Sequence, residues 1–407
     1  MSLPHLLACA LLLAVDAKKR VPDYVLTTKE TRLQGRVVYE DDARVLLQDG
    51  SRTTEIARRD VKELRSRAAL SRSTLAEWNA LAPTDVPGLV TLARSARERD
   101  LLEESDLFAW HALVLDPRSE AAHQLLGHVR RGEAWGFTEG TRRIAFDDRD
   151  AAHADFGSAW RFAAPHWSVR TNLPLANATT IALDLENAYQ AFFAEFGRDL
   201  ELRELLAPIG ADVHADKASF PEQVGGRTAW FDREREVLVV DASRGLVRGS
   251  MFHEAAHALL HATSTRARNT PGAIPAWLDE GLAEYLAYSL SGDAEPGRAR
   301  FQTGLPAKRW FELHAGAKDR YDLGRVLSLS SGDYTASVEA DLKYAQSYTL
   351  VHYLLHGDGG ALRPRFLAFV RGAYQGQGSP THFKKALGGD VAALERGWHA
   401  WALEHAR

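Results

Sequence analysis

Between residues 22 and 66 apolar and polar positions alternate, through Leu33-Gln34-Gly35-Arg36-Val37-Val38-Tyr39 and again around Arg44-Val45-Leu46-Leu47. Successive side chains of a strand point to opposite faces, so this alternation predicts short strands. Turn signals at Asp41-Asp42 and Asp49-Gly50 separate them. Four or five strands fit this stretch, which predicts a small β-barrel-like or curled-sheet module over residues 20–68. From residue 73 the period lengthens to that of a helix. Leu89, Leu92, Ala93 and Ala96 share one face, and Ala109, Ala112, Leu113 and Leu115 another. Asp116-Pro117 stops that helix, and Ala121 to Val129 is expected to form the next. The glycines at 132, 136 and 140 and the charged run at 147–150 read as a linker over 131–160.

Ala109 to Gly127 resembles a single tetratricopeptide-type helical hairpin. Such repeats stack in arrays, and barely two degenerate ones can be found here, so residues 72–130 read as a helical spacer. Beyond residue 161 the pattern is mixed. A strand at Trp167–Arg170 leads into an amphipathic helix, Thr179–Phe196. Strands follow at Ala211–His214, Thr228–Phe231 and Glu236–Val240, and the remainder is mostly helical. Strands first and helices afterwards is an α+β layout, and residues 161–407 are expected to form one mainly helical domain of this class.

The N-terminus changes the setting. Leu6 to Val15 is an apolar run of ten residues, short of the ~20 needed to span a bilayer. Val15-Asp16-Ala17 follows as a cleavage pattern, and residues 1–17 read as a secretory signal peptide, although no Lys or Arg precedes the apolar run. Export to the periplasm or the extracellular space, with association with the envelope as one form of it, is the expectation, with no membrane span once the signal is removed. Lipidation of Cys9, a misassigned start and an ordinary buried helix are the rival readings.

Composition narrows the chemistry. The 407 residues carry 50 basic and 54 acidic side chains, a net charge of −4, so no basic excess is available to neutralise phosphates and nucleic acid is not an expected partner. A lone cysteine excludes an internal disulfide and any cysteine-rich metal site. A metal here must be held by His, Asp and Glu.

Met251-Phe252-His253-Glu254-Ala255-Ala256-His257 supplies such residues. Four positions on a helix are about 6 Å of rise and nearly one turn, so both imidazoles project from one face and can reach one ion. Glu254 is rotated about 100° from His253, placed to hold a water beside that ion rather than to bind it. A catalytic zinc needs a third protein ligand and an open position. His261 lies about 12 Å along the helix from His253, too far to share a small ion. A metzincin pattern also fails, because Leu260 and Thr263 stand where its glycine and third histidine belong. Glu280 and Glu284 remain, one turn apart in Pro275-Ala276-Trp277-Leu278-Asp279-Glu280-Gly281-Leu282-Ala283-Glu284-Tyr285. A loop over 268–272 would return this second helix to the first, and either acid could bind the ion or orient a ligand histidine.

His253-Glu254-x-x-His257 followed by Trp277-Leu278-x-Glu280-Gly281-Leu282-Ala283-x-Tyr285 resembles the gluzincin metallopeptidases, in particular the peptidase MA-like group with its aminopeptidase N relatives and bacterial envelope members. The resemblance covers about residues 165–405. It implies one zinc per chain on His253, His257 and Glu280, with Glu254 as general base. Tyr344-Ala345-Gln346-Ser347-Tyr348-Thr349-Leu350-Val351-His352-Tyr353-Leu354 is similar to the family helix whose first tyrosine stabilises the tetrahedral intermediate. That implies Tyr344 as the electrophile, with Tyr348 as the fallback. The aminopeptidases anchor a substrate amine through an acid in a Gly-x-Met-Glu-Asn segment. The corresponding Gly225-Gly226-Arg227-Thr228-Ala229-Trp230-Phe231 has none, which favours an endopeptidase that lays peptide or protein substrate along this strand.

The expected function is therefore zinc-dependent hydrolysis of peptide bonds. One rival is a catalytically silent envelope scaffold that binds a protein partner through its N-terminal modules. Another is a zinc hydrolase of a non-peptide amide or ester.

Overall fold

The computed structural model describes residues 21–221, 227–264, 274–290, 295–335 and 339–407. The signal peptide with Cys9, the loop over 268–272 and Gly225-Gly226 lie outside the described residues.

Strands β1 (Asp23–Thr27), β2 (Arg32–Glu40), β3 (Arg44–Asp49), β4 (Arg52–Ala57) and β5 (Val61–Arg65) form an antiparallel sheet in the order β4-β3-β2-β1-β5. β4 and β5 stand at its two edges. Gly50 takes a positive φ of 57° in the tight turn between β3 and β4, where a side chain would be strained. Val25, Val37, Val45, Leu47 and Ile56 give one face its own small core. The next residue along β2, Val38, turns to the other face with Tyr39 and Leu46. There the module rests on its own chain: Val38 O accepts from Glu204 N (2.8 Å), and the Arg36 guanidinium donates to the carbonyls of Leu205 and Leu206.

Helices α1 (Arg67–Ala80), α2 (Val86–Glu98), α3 (Leu102–Leu115) and α4 (Glu120–Leu125) follow. Ser66 and Asp85 cap the first two through the backbone N–H of Ala69 and Gly88. These helices are not a detached spacer. One hydrophobic core runs without a break from Leu75 and Trp78 to Trp398 and Ala402. The helix expected at 121–129 ends at Leu125, because Gly127 turns left-handed (φ 69°) and the chain enters a strand at Val129.

The expected linker at 131–160 is instead folded. β6 (Val129–Arg131), β7 (Ala134–Glu139) and β8 (Arg142–Ala145) make a three-stranded antiparallel meander. Gly132 and Gly140 sit at its turns with φ of 60° and 57°. Phe137, Ile144 and Phe146 pack into the main core.

The sheet that positions the site comes next: β9 (Trp160–Ala163), β10 (Trp167–Thr171), β11 (Ile209–His214), β12 (Ala229–Asp232) and β13 (Val237–Asp241), ordered β12-β13-β11-β10-β9. β10, β11 and β13 are parallel, while β9 and β12 run antiparallel at the edges. The protein is thus mixed α/β, with helix α5 (Leu175–Phe196) crossing from β10 to β11. Past β13 all regular structure among the described residues is helical. The longer helices are α6 (Arg248–Thr263), α7 (Ala276–Leu290), α8 (Lys308–Gly316), α9 (Ala340–His356), α10 (Arg363–Tyr374), α11 (Pro380–Leu387) and α12 (Val391–His405). α6 packs on β12 and β13, and α7 lies against both α6 and α9. Gly281 permits the close approach of α7 to α9: a Cβ there would stand 2.6 Å from Ser347 O. Among the described residues no helix is long and apolar enough to cross a membrane.

Candidate metal centre

Helix α6 buries Met251, Phe252, Ala255, Ala256, Ala258 and Leu259, which leaves the side chains one turn apart at 253 and 257 facing α7. Its first turn is fixed by Arg248, whose guanidinium grips both oxygens of the buried Asp184 on α5 (2.8 and 2.9 Å). Such bidentate pairs fix orientation as well as position.

His253 Nε2 and His257 Nε2 are 3.0 Å apart, and Glu280 Oε2 from α7 lies 3.3 Å from each. Four ligands at ~2.0–2.1 Å around a tetrahedral ion stand roughly 3.3 Å from one another. The three atoms therefore describe one face of such a shell. Among the described residues these are the only three His, Cys, Asp or Glu side chains grouped closely enough to hold a metal ion. Glu280 Oε2 is buried with only the two ring nitrogens beside it and no well-aligned hydrogen bond, and a buried carboxylate needs a positive partner. The donor set of two imidazoles and one carboxylate suits zinc chemistry.

Each histidine is backed by a second acid. His257 Nδ1 meets Asp279 Oδ1 at 3.1 Å, and Asp279 Oδ2 accepts from Arg233 Nη2 at 2.5 Å. His253 Nδ1 faces Glu284 Oε1 at 3.0 Å, out of line for a hydrogen bond, and Trp310 Nε1–H donates to Glu284 Oε2 at 2.8 Å. Acids on the Nδ1 side leave both Nε2 atoms turned toward Glu280, the orientation a metal needs.

The charges are strongly coupled. Burial by itself favours neutral His253, but the carboxylates of Glu284 and Glu280 outweigh it and raise its pKa to about 10. His257 is likewise pushed up, by Asp279 and Glu280 against the opposing effect of burial. Burial would raise the Glu280 pKa, yet the two imidazoles hold it well below the carboxylate range.

Glu254 projects toward the sheet, where its Oε2 accepts from the backbone N–H of Phe231 on β12 (2.8 Å). The Tyr344 ring lies 6.1 Å from that of His253, and burial followed by the carboxylates of Glu280, Glu284 and Glu254 raises its pKa. Tyr348 sits elsewhere. Its hydroxyl donates to Leu305 O (3.2 Å) and accepts from Ala307 N (2.8 Å), and the ring is fully buried. His261 packs its ring on Phe231, with Nε2 3.6 Å from Glu236 Oε1, away from the cluster.

The structure thus gathers His253, His257, Glu280, Glu254 and Tyr344 in one place. Sequence reasoning overlooked Asp279, Arg233 and Trp310. Asp279 carried a signal, an acid directly beside a candidate ligand. Arg233 and Trp310 carried none, because each arrives from a different element.

Residues 211–404 match the family model described as Peptidase MA superfamily, which supports a peptidase MA-like domain over this part of the chain. The matched span contains all five residues of the cluster. No curated protein matches the chain.

Proposed function

We propose that the protein is an exported zinc-dependent endopeptidase of gluzincin type, with His253, His257 and Glu280 as the ligands of one zinc. The observation that carries this reading is the triangle of Nε2, Nε2 and Oε2 atoms at 3.0–3.3 Å, with a buried carboxylate oxygen at one corner. Bound there, zinc supplies Lewis acidity, polarising a peptide carbonyl and making water acidic enough to ionise near neutral pH.

Glu254 accepts the proton from the attacking water and returns it to the leaving amine. The Phe231 N–H on its Oε2 holds the carboxylate in place for both steps. Tyr344, whose raised pKa keeps its hydroxyl protonated, donates to the oxygen of the scissile carbonyl as negative charge develops. Strand β12 offers the substrate its outer edge. Thr228 O faces β13 by accepting from Asp241 N (2.7 Å), so the N–H and C=O of Ala229 point the other way. An extended peptide can add to that edge through the main-chain groups of Ala229, with no requirement for a free terminus.

Glu254→Gln is the test. Removing the base should lower kcat on an unfolded protein substrate by about 10²–10⁴-fold while zinc content is retained. Undiminished proteolysis would refute the assignment. A panel containing ester and non-peptide amide substrates separates peptidase from other hydrolase activity.

A further inference from the structure

The two acids behind the ligand histidines are held differently. Glu284 is tied to Trp310 on α8, a largely buried ring in the helical core. Asp279 is tied to Arg233, which belongs to the turn between β12 and β13 and has 41% of its side chain exposed. Two residues earlier on the same hairpin, Phe231 N–H holds the Glu254 carboxylate. Glu236 at the end of that turn lies 3.6 Å from His261 on α6. The hairpin that carries the outer strand edge is thus fastened to the metal-holding helices at three points, one of which leads directly to a ligand.

We propose that Arg233 is a positioning residue that couples the β12 hairpin to the metal through Asp279 and His257. This deepens the zinc reading above and rests on it. Asp279 is buried and immediately precedes Glu280 on α7, so a carboxylate free to rotate there could turn from the imidazole. The Arg233 guanidinium fixes Oδ2, which leaves Oδ1 aimed at His257 Nδ1 and turns Nε2 toward Glu280, where the ion would be held. Coupling of this kind is reciprocal: what orders the hairpin favours the metal, and the metal orders the hairpin.

The experiment measures zinc affinity by competition with a chromophoric chelator, alongside backbone hydrogen exchange with and without zinc, on the full chain. In the unmodified protein zinc should slow exchange at β12. Arg233→Gln should weaken zinc binding about 10–100-fold, the usual effect of removing such a partner, and reduce the protection that zinc confers on β12. Arg233→Lys should recover part of both, since it restores the charge without the planar fork. Arg235→Gln is the control, because that side chain pairs with Asp212 and Asp232 and not with Asp279. Wild-type zinc affinity and wild-type β12 protection in Arg233→Gln would overturn the coupling while leaving the zinc site standing. Failure of the unmodified chain to bind zinc would overturn the zinc reading itself, and the coupling with it.

Discussion

Replacing Gly281 by Ala sets local propensity against packing. In an isolated helix the change would stabilise α7 by about 1 kcal/mol. Here the new Cβ would stand 2.6 Å from Ser347 O and 2.7 Å from Val351 Cγ2, where ordinary contacts begin at 3.4 Å. The first obstacle is backbone, so no rotamer change relieves it, and α7 and α9 must part by up to about 0.8 Å, the difference between 3.4 and 2.6 Å. Overpacking of this kind costs about 1–3 kcal/mol. Set against the propensity gain, the net loss is about 0–2 kcal/mol, only a small shift in melting temperature for a chain of this size. Function should suffer more. Glu280 adjoins Gly281 on α7 and Tyr344 lies one turn before Ser347 on α9, so the separation opens between the proposed third ligand and the hydroxyl proposed to act opposite it. A misplacement approaching 1 Å costs on the order of 10²-fold in rate. Thermal melts and kcat/KM on an unfolded protein substrate, both with zinc supplied, read the two effects separately. A variant that melts higher than the parent and turns over at the same rate would refute the packing argument.

Tyr344→Phe should lower kcat by roughly 10²-fold with little change in KM, since the role proposed for its hydroxyl is on charge that develops only in the transition state. Tyr348→Phe should instead reduce stability by about 1 kcal/mol, through the loss of its bonds to Leu305 and Ala307. A Tyr348 variant with the larger kcat defect would reverse the two roles. The pH response follows from His253, whose folded pKa is raised to about 10. In the chelated protein its contribution to stability is fully present below the unfolded value of about 6.5 and is lost as pH rises through 10. Zinc competes with that proton, so the gain in melting temperature on adding zinc should grow over the same window. A gain that shrinks as pH rises would contradict the assignment of His253 as a ligand.

The site was legible where one element's periodicity fixes geometry. The spacing of His253, Glu254 and His257 needs only a helix to bring two imidazoles together and turn the acid aside; the same rule puts Glu280 and Glu284 on one face of α7, and it is the family resemblance that singles out Glu280. What helical spacing cannot show is which element lies opposite. Arg233 reaches Asp279 across 46 positions of sequence, and nothing local marks it. Asp279 does not share the face of Glu280 and Glu284, yet from the position before Glu280 it reaches the His257 imidazole. The misread segments have a single cause. Glycines at 132 and 140 look like linker punctuation but supply the left-handed turns of a meander, whose apolar Phe137 and Ile144 are the better signal. The parallel β10-β11-β13 arrangement was equally hidden, since strand order depends on the crossover by α5 and not on any one strand's composition.

The metal content of the purified chain, measured by elemental analysis beside Glu280→Ala, tests the central claim most directly. The account predicts about one zinc per chain in the parent and its loss in the variant, with the fold of both retained by circular dichroism. A parent chain that carries no zinc and takes up none when it is supplied would contradict it.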